Sequence, residues 1–138
     1  MVAICLAVVF TVLGLFHVYW ASGLSTGSSV AIPEVNGRPA FRPSRVATLL
    51  VAAALFSAGY VVLVRGGQLS SPLTPALSRL GTGVIGTLFV LRAIGEFRLV
   101  GFFKRVRGTA FARMDTRLYS PLAFILGAGS GYVAFCAP

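Results

Sequence analysis

The chain has 138 residues, of which 57% are hydrophobic and only 11% are charged, and its mean hydropathy is +0.88. A soluble domain is typically about half apolar and about a quarter charged, and a chain this short cannot bury so much apolar surface in its own core. The composition therefore excludes a soluble enzyme and a free nucleic-acid binder, and it indicates a protein whose solvent is lipid.

Twelve basic residues stand against only three acids, Glu34, Glu96 and Asp115. The basic residues cluster between apolar runs, which is typical of contact with anionic headgroups rather than with nucleic acid. The chain has one histidine and two cysteines near its opposite ends, so we expect no metal site and no cofactor. No catalytic set of residues is recognisable, and the pattern leans away from an enzyme.

Three apolar segments are clear candidates for membrane spans, which need about 20 residues of helix. The first covers 2–22, and His17 is its only ionisable group. The second covers 46–64 and is uncharged, and the last covers 118–136 with a proline in its first turn. With a further span between them, these segments predict an all-α, four-transmembrane-helix bundle that forms a single domain over 1–138.

The remaining span, 76–101, carries charge. Thr74 followed by proline predicts the start of a helix, with Thr74 as its N-cap. The uncharged apolar run 80–91 is too short to cross the membrane by itself. The helix must therefore carry Arg92 and Glu96 into the membrane or its inner interface.

The basic residues of the links predict the orientation. The first link, 25–45, holds three arginines and the third, 102–117 with its flank, holds six cations, whereas only Arg65 and Arg79 lie on the opposite side. The two links on one side thus hold nine basic residues, and the opposite side holds two. This imbalance predicts a multi-pass protein of the cytoplasmic membrane with both of these links in the cytoplasm and both termini outside. The third link mixes aromatic and basic residues, so it is expected to lie in the headgroup layer or, alternatively, to form a solvated basic loop. The first link is expected to form turns and a short hairpin with Asn36-Gly37 at its tip.

Polar side chains of different spans reach a similar depth in this arrangement. Arg92 and Glu96 are four residues apart and can pair on one helix face, and charges at such depth normally face the bundle interior. We therefore predict an inner-leaflet ligand-binding cluster of His17, Tyr19, Trp20, Arg92, Glu96, Asp115 and Tyr119. Three simpler interpretations stay open: the Arg92–Glu96 pair neutralises itself at the interface, His17 is a packing residue, and Tyr19 and Trp20 form an interfacial aromatic belt.

Small residues four apart predict close helix packing. Gly127 and Gly131 lie in the last span, and Thr82 and Gly86 in the third. Without a hydrophobic drive between helices in lipid, such residues let backbones approach. They would serve the bundle or, alternatively, the face of a homodimer.

Three motifs carry a family resemblance. The stretch HVYWA at 17–21 resembles the H-x-Y-W-A signature of a bacterial membrane family known as domain of unknown function 3995. The runs at 91–98 and 101–104 resemble its second signature, and those at 109–112, 115–116 and 119–122 resemble its third. The motifs occur in the expected order, with Glu96 where an aspartate is equally expected. The resemblance implies a small four-span bacterial membrane protein, and it implies no activity or substrate.

The leading functional hypothesis is a non-enzymatic protein that binds a small amphiphile or an anionic lipid headgroup. Arg92 would contact the anion, Glu96 would orient the guanidinium and His17 would donate a hydrogen bond. The alternative is a small proton-coupled transporter, or a transporter subunit, that uses Glu96. A carboxylate paired with an arginine suits proton exchange poorly, which favours the first hypothesis.

Overall fold

The predicted all-α bundle is confirmed by a computed structural model, which describes residues 1–24, 26–35 and 38–136. Its long helices are α1 (Val2–Ala21), α3 (Arg45–Arg65), α4 (Pro75–Ile94) and α6 (Ser120–Cys136). All four are long and apolar enough to cross a membrane, the last together with the helical turns that precede it from Ala110. Twenty residues of helix extend about 30 Å, the thickness of the hydrocarbon core.

Two of the long helices, α3 and α4, begin where hydroxyl side chains accept hydrogen bonds from free backbone N–H groups. Ser44 accepts from the amide of Ala47 at 3.1 Å before α3, and Thr74 accepts from that of Leu77 at 3.3 Å before α4. The start of α4 predicted from Thr74 is therefore confirmed.

The predicted end of this helix is wrong, because α4 ends at Ile94 and does not reach 101. Gly95 has φ +86° and Phe97 has φ +66°, a left-handed backbone that breaks the helix. The chain then folds back, and the amide of Phe102 donates to the carbonyl of Ala93 at 2.8 Å. A Cβ on Gly95 would collide with the carbonyl of Val100, so this close approach requires glycine.

The bundle consists of two tight helix pairs, α1 with α3 and α4 with α6. Gly86 and Gly127 face each other, and a Cβ on Gly127 would lie 2.8 Å from the amide nitrogen of Val90. Close packing through these glycines is confirmed within the chain, and the homodimer remains a prediction. Side chains of α1, α3 and α6 form the apolar core between the pairs, among them Phe10, Val62 and Leu126.

The first and third links meet at one end of the bundle, here called the polar end. The first link contains α2 (Ser28–Ala31) and an antiparallel pair, β1 (Glu34–Val35) with β2 (Arg38–Pro39). The hairpin is confirmed, while its predicted tip, Asn36-Gly37, lies outside the described residues. The third link contains α5 (Ala110–Met114), which packs on α2, and then a π-helical turn (Asp115–Tyr119) that leads into α6. The opposite end of the bundle is called the far end.

Candidate functional site

Asp115 is the centre of a buried charge cluster at the polar end, and its side chain is fully buried. One carboxylate oxygen accepts from Nη2 of Arg92 at 2.8 Å. The other accepts from Nζ of Lys104 at 3.0 Å, from Oγ of Ser120 at 3.0 Å and from the amide of Gly101 at 2.9 Å. The carboxylate thus has the hydrogen bonds that a buried charge needs.

Lys104 is the second buried charge, with only 2% of its surface exposed. Its ammonium group donates to Asp115, to the carbonyl of Gly101 at 2.9 Å and to Oγ1 of Thr116 at 2.7 Å. All three ammonium donors are therefore used. Lys104 ties the loop after α4 to the start of the last span.

The π-helical turn explains how Asp115 reaches this position. The amide of Ser120 donates to the carbonyl of Asp115, five residues earlier, which widens the helix by one residue compared with an α-turn. The hydroxyl of Ser120 then lies 3.0 Å from the carboxylate of the same aspartate. Such π-helical turns are rare and frequently mark functional sites.

A cavity of about 320 Å³ opens beside Arg92, between α1, α3, α4 and α6. Its polar side chains are His17, Trp20, Arg92 and Tyr119, and its apolar walls include Leu13, Leu55, Phe89 and Leu126. The apolar residues lie one or two helical turns deeper in the bundle than the polar ones. The cavity is therefore an apolar slot with a polar mouth, the arrangement common to small-molecule sites.

Arg92 joins the charge cluster to this cavity. Its side chain is 37% exposed, and one of its terminal nitrogens, Nη2, pairs with Asp115. The other, Nη1, is buried and has no hydrogen-bond partner within the described parts of the chain. The guanidinium thus keeps donor capacity beyond its pairing with Asp115.

The ring of His17 has a defined orientation and tautomer. Its Nδ1 lies 2.7 Å from the carbonyl of Leu13, and because a carbonyl can only accept, Nδ1 carries the proton. In the neutral ring, Nε2 is then an acceptor and not the predicted donor. The ring also makes an edge contact with Trp20, with the centroids 5.4 Å apart.

A second cavity of about 310 Å³ adjoins the first. The two share His17, Trp20, Ala31 and Val51. The second continues to Phe41 and Pro43 of the first link, which are exposed. His17 and Trp20 therefore stand between the bundle interior and the surface of the polar end.

A larger hollow of about 550 Å³ lies on the outer face of α4, near the far end. Its walls include Leu80, Val84 and Leu88, all strongly exposed, and Arg79 is its only charged residue. In a membrane this face contacts lipid tails. We therefore place the candidate site in the two cavities of the polar end.

The predicted pairing of Arg92 with Glu96 is wrong. Glu96 follows the end of α4, is exposed, and accepts the amides of Arg98, Leu99 and Val100. It borders the same outer groove as Arg92, but the ion pair of Arg92 is with Asp115. Because the helix breaks at Gly95, the four-residue spacing no longer places both side chains on one helix face.

Of the remaining predicted site residues, all but Tyr19 lie at the cavity or at the charge cluster beside it. His17, Trp20, Arg92 and Tyr119 line one cavity, and Asp115 holds Arg92 from behind. Tyr19 does not join them, because it borders a shallow hollow on the outer side of α1 with Val12, Leu15 and Phe16. Adjacent residues of a helix point about 100° apart, so Tyr19 faces a different side of α1 from Trp20.

Lys104, Ser120 and Phe111 are members of the site that the sequence does not identify. Lys104 is expected on the headgroup surface, but it is buried against Asp115. Phe111 lines the cavity and is almost fully buried. A lone acid among many basic residues, as at Asp115, is the one sequence signal that could have indicated a buried partner here.

The described residues contain no group of three or more His, Cys, Asp or Glu side chains that could hold a metal. A family model described as "Protein of unknown function (DUF3995)" matches residues 10–130. The matched range runs from the middle of α1 through most of α6 and includes every residue of the cavity and the charge cluster. The chain matches no curated protein and no solved structure.

Proposed function

The chain belongs to the DUF3995 family, and from this premise we propose that it binds the anionic head of a small amphiphile in the cavity beside Arg92. Its four apolar helices make it a small membrane protein. The proposal concerns what its polar end does there.

The observation that carries the proposal is the charge of the cluster. Arg92 and Lys104 share the single carboxylate of Asp115, so the three side chains have a net charge of +1. The positive charge of Arg92 includes a buried Nη1 that has no hydrogen-bond partner among the described residues, and an unpaired buried donor is costly. Glu96 is exposed and already accepts three amides, so water screens it. An anion in the cavity would supply the missing charge.

The shape of the cavity indicates how an amphiphile would lie. Its mouth has Arg92 and the polar groups of His17 and Tyr119, and its depth is apolar. The head would therefore stay at the level of the polar end while the tail extends toward the middle of the bundle. This is also the orientation of a lipid in the adjacent leaflet, so binding would not move a charged head across the hydrocarbon.

Native mass spectrometry of the detergent-purified protein tests this function, with dodecanoate as the probe. We expect Arg92→Gln to weaken binding about tenfold or more, because a hydrogen-bonded charge contributes about 1.5–3 kcal/mol. Arg98→Gln, at an exposed arginine of the adjacent loop, is the control and should bind like the wild type. Equal binding by both variants would contradict the proposal.

A second pair of variants tests the cavity without altering its charge. Leu122 lines the cavity, whereas Ile125 lies on the outer, lipid-facing side of the same helix. Leu122→Trp should fill the space and abolish dodecanoate binding, and Ile125→Trp should leave it unchanged. Retained binding in Leu122→Trp would show that the probe associates with the lipid-facing surface.

Proton-coupled transport through Glu96 has less support. A carboxylate that carries protons across a membrane must lie on the path between the two sides. Glu96 lies beyond the end of α4 and is committed to three backbone amides. We therefore retain ligand binding as the proposed function.

We further propose that the polar end faces the cytoplasm, on the basis of its excess of basic residues. Cys5 and Cys136 are free and exposed, and they lie toward the far end. In intact cells a membrane-impermeant thiol reagent should label them. Ser22→Cys, at the polar end in a chain without other cysteines, should be labelled only after permeabilisation. The reverse pattern would invert the orientation.

A further inference from the structure

We infer that the ligand is a single-chain amphiphile whose head combines one negative charge with a neighbouring hydrogen-bond donor, such as a hydroxyl group. This inference rests on the proposed function and names the class of ligand. It follows from which polar groups at the mouth of the cavity remain available.

The neutral donors at the mouth are already used. Nε1 of Trp20 donates to the carbonyl of Thr26 at 3.1 Å, and the hydroxyl of Tyr119 donates to the carbonyl of Val30 at 3.3 Å. Nδ1 of His17 donates to the carbonyl of Leu13. Because each of these partners is a carbonyl, which can only accept, the direction of every bond is fixed.

Acceptors are what remain beside the guanidinium. The ring of His17 keeps Nε2, which forms no hydrogen bond with any part of the chain that the structure describes. The oxygen of Tyr119 keeps its lone pairs after donating its proton. The mouth therefore offers one cation and two neutral acceptors. A head that is only an anion would satisfy Arg92 and make no hydrogen bond with either acceptor, whereas a donor beside the anion would add one.

The size of the cavity limits the tail. Its 320 Å³ lies near the lower end of the range for small-molecule sites, about 300–1,000 Å³. The apolar depth is lined by side chains of α1, α3, α4 and α6, and the adjoining cavity runs toward the surface. One chain fits this depth, and two chains would have to leave it. The net charge of +1 in the cluster matches a head with one negative charge.

Two kinds of amphiphile have this chemistry, a hydroxylated fatty acid and a single-chain phosphoglycerol lipid. The test compares 3-hydroxydodecanoate with dodecanoate, and a single-chain with a two-chain phosphatidylglycerol, by titration of the detergent-purified protein. We expect the hydroxylated acid to bind about fivefold more tightly than dodecanoate, the effect of about one hydrogen bond. Whichever of the two probes, the hydroxylated acid or the single-chain phospholipid, binds more tightly identifies the kind of ligand.

The variant His17→Phe keeps an aromatic ring beside Trp20 and removes Nε2, one of the two acceptors, so it should lower the fivefold preference. Tyr19→Phe, on the outer side of the same helix, is the control and should keep it. If 3-hydroxydodecanoate and dodecanoate bind equally and still require Arg92, the inference of a hydrogen-bond donor in the head is wrong and the proposed function stands. If the two-chain phosphatidylglycerol binds as tightly as the single-chain one, the inference that the ligand has a single chain is wrong. If no probe requires Arg92, both this inference and the proposed function fail.

Discussion

The two ends of the bundle use their basic residues differently. At the polar end, Arg92 and Lys104 meet on the buried carboxylate of Asp115. At the far end, Arg65 donates to the carbonyl of Ala134 from Nε at 3.2 Å and from Nη2 at 3.1 Å. The guanidinium of Arg79 lies 5.2 Å from the centre of the Phe135 ring. The described residues place no acid at the far end.

This difference shows what one acid does in a membrane protein. At the far end, Arg65 binds the carbonyl of Ala134 and Arg79 lies over the ring of Phe135, so both arginines contact the last turn of α6. At the polar end, where an acid is present, Arg92 and Lys104 both pair with Asp115. Their combined positive charge exceeds the single negative charge of that carboxylate. At the far end both cations contact the last turn of α6, whereas at the polar end Nη1 of Arg92 is buried without a hydrogen-bond partner among the described residues.

The largest effect is expected from Asp115→Asn, which removes the charge that holds the cluster together. Arg92 and Lys104 would then lie close together without a counter-charge. Losing one partner of a buried ion pair typically costs about 3–5 kcal/mol. We expect a decrease of about 3 kcal/mol or more in the free energy of unfolding, measured by denaturant titration in detergent.

The control for this variant is Glu96→Gln. Glu96 is also acidic and also ends a helix, but it is exposed and accepts only backbone amides. Its replacement should cost about 1 kcal/mol, as for a helix cap. A loss of similar size in both variants would mean that the cluster is no more important than a surface turn.

The comparison of the two ends also shows what a sequence can reveal. The spans, the shared side of the two basic links and the start of α4 follow from hydropathy, charge and capping, which act over a few neighbouring residues. The helices and the glycine contact were predictable for the same reason. His17, Arg92 and Tyr119 could be assigned to one end because their spans are long and regular.

The pairing within the cluster could not be predicted in this way. It depends on the break at Gly95, which turns Glu96 outward, and on the π-helical turn, which turns Asp115 inward. The break ends the helix and folds the chain back. The π-helical turn adds one residue to a helical turn and so rotates the side chains before it by about 100° relative to α6. A helix extended through 101 therefore assigns the wrong acid to Arg92.

An intermediate effect on the free energy of unfolding is expected at the glycine contact between α4 and α6, which lies between the two ends of the bundle. Gly127→Ala would place a Cβ 2.8 Å from the amide nitrogen of Val90 and 2.9 Å from the carbonyl of Gly86. Because both neighbours are backbone atoms, α4 and α6 would have to separate. We expect unfolding to become easier by about 1–3 kcal/mol. Gly131→Ala is the matched control, since its Cβ would meet nothing within 4 Å, and an equal loss there would argue against close packing.

The smallest effects are expected at the far end, at the contacts of Arg65 and Arg79 with the last turn of α6. Arg65→Gln removes two charged hydrogen bonds to Ala134 and should cost about 1.5 kcal/mol. Arg79→Gln removes only the contact with Phe135 and should cost about 0.5 kcal/mol, because that arginine is exposed. Neither variant should change dodecanoate binding. If Arg65→Gln destabilised the protein as much as Asp115→Asn, or weakened binding, the far end would be part of the site and not a helix terminus.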